Sequence, residues 1–181
     1  MPSVAQSFVD QSRTLLTAGY FPRIERCLEQ LSDDNVWWRA NPESNSIGNL
    51  LLHLAGNVRQ WIISGVGGST DERQRQLEFD EQGPMPSAEV LSRLRMTVEE
   101  ADRVLARIPE ESLLEGRRIQ GHDVTVLEAI YAVVEHFSMH TGQIIVLTKM
   151  WKGDLGFYDL SSGSPRPQWH KKGTNSGPTT D

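Results

Sequence analysis

The sequence contains very little cysteine: Cys27 is the only one among 181 residues. A single thiol excludes an intramolecular disulfide framework and any zinc site built from several cysteines. Cys27 shares an apolar helical stripe with Ile24, Leu28 and Leu31, so we expect it to be a core side chain and not a reactive thiol. Any metal ligands must therefore be nitrogen or oxygen atoms.

The chain also lacks an excess of positive charge and long apolar runs. Its 18 Lys and Arg residues are interspersed with 24 Asp and Glu residues, which leaves no basic stripe for nucleic acid. No apolar run approaches the length of about 18 residues needed to cross a bilayer, and the N-terminus does not have the pattern of a signal peptide. We therefore expect a cytoplasmic protein without a nucleic-acid or membrane partner.

Four long segments have the apolar periodicity of helices. The first covers about residues 3–31 and should be kinked near Phe21 and Pro22, because proline removes a backbone donor. The second begins at Asn45 or Ser46 and ends at the glycines of SGVGG. Four such helices on one core predict an all-α four-helix bundle over residues 1–160.

The last two helices have clear start and stop signals. Ser87 is the expected cap of the third helix, and Pro109 ends it. The fourth helix opens with the capping box Thr125 to Glu128 and runs to about Lys152.

The connections between these helices are less regular. Residues 69–87 read as a charged, mostly exposed connection anchored at Arg73, Leu77 and Phe79. The segment EGRRIQGHDV predicts a short hairpin or an irregular crossover. Residues 161–181 are rich in Ser, Gly, Pro and Thr, so we expect a flexible tail and do not count His170 among the ligands.

Three histidines lie inside apolar helical runs: His53 in the second helix, and His136 and His140 in the fourth. His136 and His140 are four residues apart, so they lie one helical turn apart on the inward face. Burying imidazoles without partners costs roughly 1–3 kcal/mol each, and a shared divalent cation would remove that cost. Three nitrogen ligands would leave an open position for water or substrate, as in catalytic zinc sites.

Other interpretations of these histidines remain. Each of them alone is more readily a satisfied core residue, and an H-x-x-x-H pair often occurs by chance. A zincin protease needs Glu at position 137, where this chain has Phe, and Glu135 projects away from the ligand face. Di-iron bundles need core glutamates, and we expect none here. Asn57 and Gln143 are candidates to orient the ligands, and Trp37, Trp38 and Trp61 are candidates to line a pocket.

Several motifs together carry a resemblance to a known family. The segments ESNSIGNLLLHLAGNVRQWI, LEFDEQGPMP, EHFSMHTGQI and GDLGFYDL lie in this order. Over about residues 5–160 they resemble the DinB/YfiT-like superfamily of metalloenzymes, in particular a bacterial branch of unknown function. The resemblance implies a four-helix bundle, frequently a homodimer, with a divalent metal held by His53, His136 and His140.

The resemblance also suggests chemistry. Characterised relatives include bacillithiol S-transferases and mycothiol-dependent isomerases, with zinc or nickel as the metal. Our leading hypothesis is a metal-dependent enzyme acting on a small molecule, such as a low-molecular-weight-thiol S-transferase or a hydrolase, with no general acid or base assigned. The alternative is a non-catalytic dimeric stress-response or binding module with a structural metal. A helical scaffold without metal is the third interpretation.

Overall fold

The computed structural model describes residues 1–83 and 85–170. The α-helices in this part of the chain are α1 (Val4–Thr14), α2 (Phe21–Leu28), α3 (Asp33–Trp37), α4 (Ile47–Val58), α5 (Arg75–Asp80), α6 (Ser87–Leu105) and α7 (Val126–Lys152). The antiparallel strand pairs are β1 (Gly116–Ile119) with β2 (His122–Thr125), and β3 (Tyr158–Asp159) with β4 (Arg166–Pro167). The all-α bundle is confirmed. None of the helices in these residues is both long and apolar enough to cross a membrane.

The first long helix is built from pieces, which confirms its predicted kink. A π-helical stretch, Leu15–Tyr20, joins α1 to α2. Pro22 follows this stretch as the second residue of α2, and its missing N–H removes one backbone hydrogen bond from the continuous helix. A second π-helical stretch, Arg59–Val66, extends α4. Such stretches widen the helix locally and are a common cause of bends.

The predicted helix starts are right at two places and wrong at a third. Ser46 and Asn49 form a reciprocal capping box at α4, and Thr125 and Glu128 form another at α7. Ser87 does not cap α6 with its side chain but is its first residue. Its backbone N–H donates instead to Oδ1 of Asp33, 2.9 Å away. The N-terminus of α6 is therefore capped by a carboxylate that is distant in sequence.

One apolar core joins the long helices and holds α4 beside α7. Cys27 is fully buried in it, as expected. Phe137, one residue after His136, points into the same core and is fully buried. The large side chains that are almost completely buried come from every long helix: Leu16, Ile24, Ile47, Leu51, Leu54, Ile62, Ile63, Leu94, Leu105, Ile130, Phe137 and Ile144. This packing fixes the relative position of the faces that carry the histidines.

The connection before α6 is more ordered than the sequence suggests. It contains α5, and Glu78 on that helix is buried. The side-chain amide of Asn49 donates to the carbonyl oxygens of Glu78 (2.9 Å) and Glu81 (2.8 Å). The Arg39 guanidinium donates to the same carbonyl of Glu81 and to that of Phe79. Two polar side chains from elsewhere in the chain thus hold this segment against α4.

The predicted hairpin before α7 is present, with Gln120 and Gly121 at positive φ in its turn. Residues 161–170, which follow α7 and belong to the predicted tail, make contacts with the bundle. The Trp169 indole N–H donates to the Ala18 carbonyl at 3.3 Å, and the Arg23 guanidinium lies 4.0 Å from the Trp169 ring centroid. The rest of the predicted tail, 171–181, lies outside the described residues.

Candidate metal centre

The three predicted histidines come together between α4 and α7. The Nε2 atom of His136 lies 3.1 Å from Nε2 of His53 and 3.0 Å from Nε2 of His140. One ring nitrogen from each residue falls within 4.8 Å of the other two. This spacing is compatible with one cation at about 2.0–2.1 Å from each nitrogen.

The outer ring nitrogens of two of these histidines have acceptors. His53 Nδ1 lies 2.9 Å from Oε2 of Glu78, and His140 Nδ1 lies 2.6 Å from Oε1 of Gln143. Arg73 Nη2 also lies 3.2 Å from His53 Nδ1, but it donates to Glu78 Oε2 at the shorter distance of 2.8 Å. Because an ionised carboxylate and an amide oxygen only accept, both Nδ1 atoms carry the proton. The Nε2 atoms of His53 and His140 then present lone pairs toward His136. Gln143 was expected to orient a ligand in this way.

The two ring nitrogens of His136 cannot both find hydrogen-bond partners in this arrangement. Its Nδ1 atom is buried and has no hydrogen-bond partner among the described residues. If His136 is protonated on Nε2, it can donate a good hydrogen bond to only one of the Nε2 atoms of His53 and His140, and its own Nδ1 has no donor. If His136 is protonated on Nδ1 instead, this buried N–H has no acceptor, and the Nε2 lone pairs of all three histidines point at one another. An unsatisfied buried group costs about 1–3 kcal/mol, and a cation between the Nε2 atoms removes the convergence of lone pairs. The residues therefore fit a divalent metal.

The protonation states also suit metal ligands. Burial lowers the pKa of His136 to about 3, with further contributions from the charges of His140, His53, Arg73 and Arg75. Burial also lowers the pKa of His140, against the opposing effect of its hydrogen bond with Gln143. Both rings are neutral at pH 7. A metal would not have to displace a proton from either one.

Behind His53 lies a carboxylate that the sequence analysis missed. Glu78 pairs in bidentate fashion with Arg73, Nε to Oε1 at 2.7 Å and Nη2 to Oε2 at 2.8 Å. Burial acts to raise the pKa of Glu78, but the hydrogen bonds from Arg73 and His53 outweigh it and the net shift is downward. The expectation that the core holds no glutamate is wrong at this position. Glu78 contacts the outer nitrogen of His53, so it fixes the tautomer of that ring.

Gly56 makes room for this carboxylate. It lies on α4, one turn after His53, and a Cβ atom there would overlap the carboxylate of Glu78 and approach Arg73 Nε to 2.9 Å. Glycine at this position therefore leaves the space that the Glu78 carboxylate and its Arg73 partner occupy against α4. The glycine is the signal from which a close neighbour of α4 could have been inferred.

A pocket of about 370 Å³ opens beside the histidines. Its walls are formed by α4 and its extension, the segment before α5, the first residue of α5, the hairpin turn and α7. The lining residues are His53, Asn57, Trp61, Arg73, Arg75, Gln120, Ala132, Val133 and His136. Trp61 lines it as expected, and its N–H donates to Oε1 of Gln120 at 3.2 Å. Trp37 instead donates to the Met85 carbonyl, and Trp38 packs edge-on against Trp151.

Comparison with known proteins adds a family and a fold. The model of the family described as "Protein of unknown function (DUF1572)" matches residues 3–161. The crystal structure of a DinB-like protein from Bacillus cereus ATCC 10987 is 17% identical, with a TM-score of 0.59 over 75% of this chain and 89% of that one. A conserved protein from Enterococcus faecalis is also 17% identical, with a TM-score of 0.65 over 85% of this chain and 100% of that one. No curated protein matches. At these identities the two structures show a shared fold.

Proposed function

This chain belongs to the DUF1572 family and has the DinB-like fold, and we propose that His53, His136 and His140 bind one divalent metal ion in it. The observation that carries the proposal is the meeting of three Nε2 atoms, with His136 placed 3.1 and 3.0 Å from the other two. Neutral imidazoles are good ligands for zinc and nickel, the two metals we favour.

The surrounding residues are suited to hold such ligands in place. Glu78 keeps the Nδ1 proton on His53, and Gln143 does the same for His140, so that both Nε2 lone pairs point inward. Partners of this kind orient ligating histidines and raise their basicity. Arg73 holds Glu78 through two hydrogen bonds and so fixes the carboxylate that orients His53.

We further propose that the site is catalytic and acts on a small molecule. Three protein ligands leave a coordination position open, and a pocket reaches the histidines from one side. A metal bound there would lower the pKa of a water or thiol ligand and supply a nucleophile near neutral pH. Transfer to or from a low-molecular-weight thiol, or hydrolysis, are the reactions that we favour. The resemblance to thiol-using DinB/YfiT-like enzymes supports the first.

We also propose a homodimer formed through α7. Met139, Val146 and Met150 lie along one side of this helix, and each is more than half exposed. Their spacing of seven and four residues makes a continuous apolar strip next to the face that carries His136 and His140. Large exposed apolar side chains in such a strip are typical of interfaces.

A second candidate is a non-catalytic dimeric binding or stress-response module in which the metal is structural. The observation that favours it is the absence of any carboxylate from the described pocket lining. The pocket therefore offers no evident general acid or base. Sharp loss of thermal stability on metal removal, without turnover of any thiol substrate, would favour this candidate.

Elemental analysis of purified, untagged protein tests metal binding. We expect about one equivalent of zinc or nickel in the wild type and almost none in the His136→Ala, His140→Ala double variant. Equal metal content in the two proteins would refute the proposal. Metal-dependent turnover that is lost in His53→Ala, while circular dichroism remains that of a folded helical protein, would exclude the purely structural candidate.

A further inference from the structure

Two arginines line the pocket beside the histidines, and only one of them has a carboxylate partner. Arg73 is almost fully buried, and its charge is neutralised by Glu78. Arg75 is exposed, and its guanidinium lies 4.8 Å from the centroid of the Phe79 ring. Among the described residues, no carboxylate lies within ion-pair distance of Arg75. The pocket wall therefore carries one positive charge that the protein does not compensate.

Asn57 is a second pocket-lining group without a protein partner. Its Oδ1 atom is buried and accepts no hydrogen bond from the described residues. It lies one turn after His53 on α4, and its side chain lines the same pocket. A buried amide oxygen of this kind is satisfied by an ordered water or by an N–H or O–H donor of a ligand, and a turn of the amide would present it to the pocket.

The net positive charge of the pocket lining favours a ligand with a negatively charged group. The described lining contains Arg73 and Arg75 and no acidic side chain, and the charge of Arg75 also acts on His136. One free guanidinium matches a carboxylate, which accepts two parallel hydrogen bonds from its fork. A volume of about 370 Å³ suits a small metabolite.

We propose that this pocket binds a small carboxylate-bearing molecule, with the carboxylate on Arg75 and an N–H or O–H donor on Asn57 Oδ1. Such a molecule would extend from the histidine cluster to the mouth of the pocket. The inference names the substrate class of the proposed metal site and in that respect rests on the proposed function. Arg75 and Asn57 are positioning residues in this account.

A matched pair of probes tests the inference. N-acetyl-L-cysteine and its methyl ester carry the same thiol and the same amide N–H, but only the first has a carboxylate. Their dissociation constants are to be measured by calorimetry for zinc-loaded and zinc-free wild type, Arg75→Gln, Asn57→Ala and Arg107→Gln. Arg107 is an exposed arginine outside this pocket, so its variant makes the same change of net charge elsewhere. The zinc content of each sample is determined in parallel.

We expect the wild type to bind the carboxylate probe roughly tenfold more tightly than the ester, as one charge-assisted contact would give. Arg75→Gln should remove this preference without changing zinc content, and Arg107→Gln should keep it. Asn57→Ala should weaken both probes by a similar factor, because both offer the same donor. Equal binding of the two probes to wild type, no binding of either, or a preference that persists in Arg75→Gln would overturn the inference. A wild type that retains no zinc on loading but still prefers the carboxylate probe would refute the metal proposal alone.

Discussion

His53 donates a hydrogen bond through Nδ1 to Oε2 of Glu78 across 2.9 Å, although the two residues are 25 positions apart. The same carboxylate receives two hydrogen bonds from Arg73. Because the carboxylate cannot donate, it holds the proton on Nδ1 and turns the Nε2 lone pair of His53 toward His136. A buried ion pair thus determines which nitrogen of His53 faces the other two histidines.

The first prediction concerns this carboxylate. Glu78→Gln should weaken metal binding by about 10–100-fold, as loss of a group that orients a ligating histidine does. The substitution also leaves Arg73 buried without a counter-charge, which should cost about 3–5 kcal/mol of unfolding free energy. Competition with a chelator and urea denaturation measure the two effects.

Glu100→Gln is the matched control for that experiment. Glu100 pairs with Arg59 at 2.7 Å on the exposed surface, where ion pairs contribute little. The Glu100→Gln variant should bind metal as the wild type does. Metal affinity in Glu78→Gln equal to that of the control would contradict the role given to Glu78.

The second prediction removes no ligand and no charge. Gly56→Ala should displace the Glu78 carboxylate, because the added Cβ would overlap it. We expect weaker metal binding together with lower stability, despite the higher helix propensity of alanine. Gly19→Ala serves as the control, since a Cβ at this helical position makes only ordinary contacts, 3.7 Å to the Thr14 carbonyl oxygen and 3.8 Å to Leu15 Cδ2. The control should bind metal normally and gain about 0.5–1 kcal/mol of stability. Unchanged metal affinity in Gly56→Ala would contradict the expected displacement of the Glu78 carboxylate.

The third prediction concerns the apolar strip on α7. Val146→Glu should convert the proposed dimer to a monomer, because it would place a charge in a desolvated interface. Met96→Glu, at a similarly exposed apolar position on α6, should leave the dimer intact. Light scattering after size-exclusion chromatography measures both masses. A monomeric wild type, or a dimeric Val146→Glu variant, would rule out this interface.

The fourth prediction follows from the buried thiol. Burial raises the pKa of Cys27 to about 11, above its ordinary value of 9.0. At pH 8 only about 0.1% of the folded thiol is ionised, so a thiol reagent should label it only after denaturation. Above pH 9 the unfolded chain ionises and the folded chain does not. The stability from this group is therefore complete below pH 9 and decreases by about 1.4 kcal/mol per pH unit between pH 9 and 11.

Urea denaturation at pH 8 and pH 10 checks the second half of this prediction. The loss of stability between these two pH values should be larger for the wild type than for Cys27→Ala. Rapid labelling of the native protein at pH 8 would show instead that Cys27 is accessible and ionised.

Local signals explain which parts of the fold could be predicted from the sequence. The capping boxes at Ser46 and Thr125 involve residues three positions apart, so they can be read directly from the chain. His136 and His140 are likewise neighbours on one helix, and periodicity alone aims them inward. The position of His53 opposite them followed from the family resemblance and not from any local pattern.

The missed features depend on contacts distant in sequence. Glu78 lies in a charged stretch that local rules assign to solvent, and it is buried because Asn49 and Arg39 hold its segment against α4. Asp33 caps α6 through Ser87, 54 positions away. No helical projection of a single segment contains such pairings. The two π-helical stretches could not be predicted either, because the sequence indicates only that the first helix bends near Pro22.

X-ray absorption at the metal edge of the zinc-loaded protein tests most directly whether three histidine nitrogens hold one metal ion. We predict three imidazole nitrogens at about 2.0–2.1 Å and one further light ligand that is not histidine. The imidazole count should fall to two in His53→Ala. A wild-type spectrum with one imidazole or none, or the same imidazole count in His53→Ala, would contradict this three-histidine coordination.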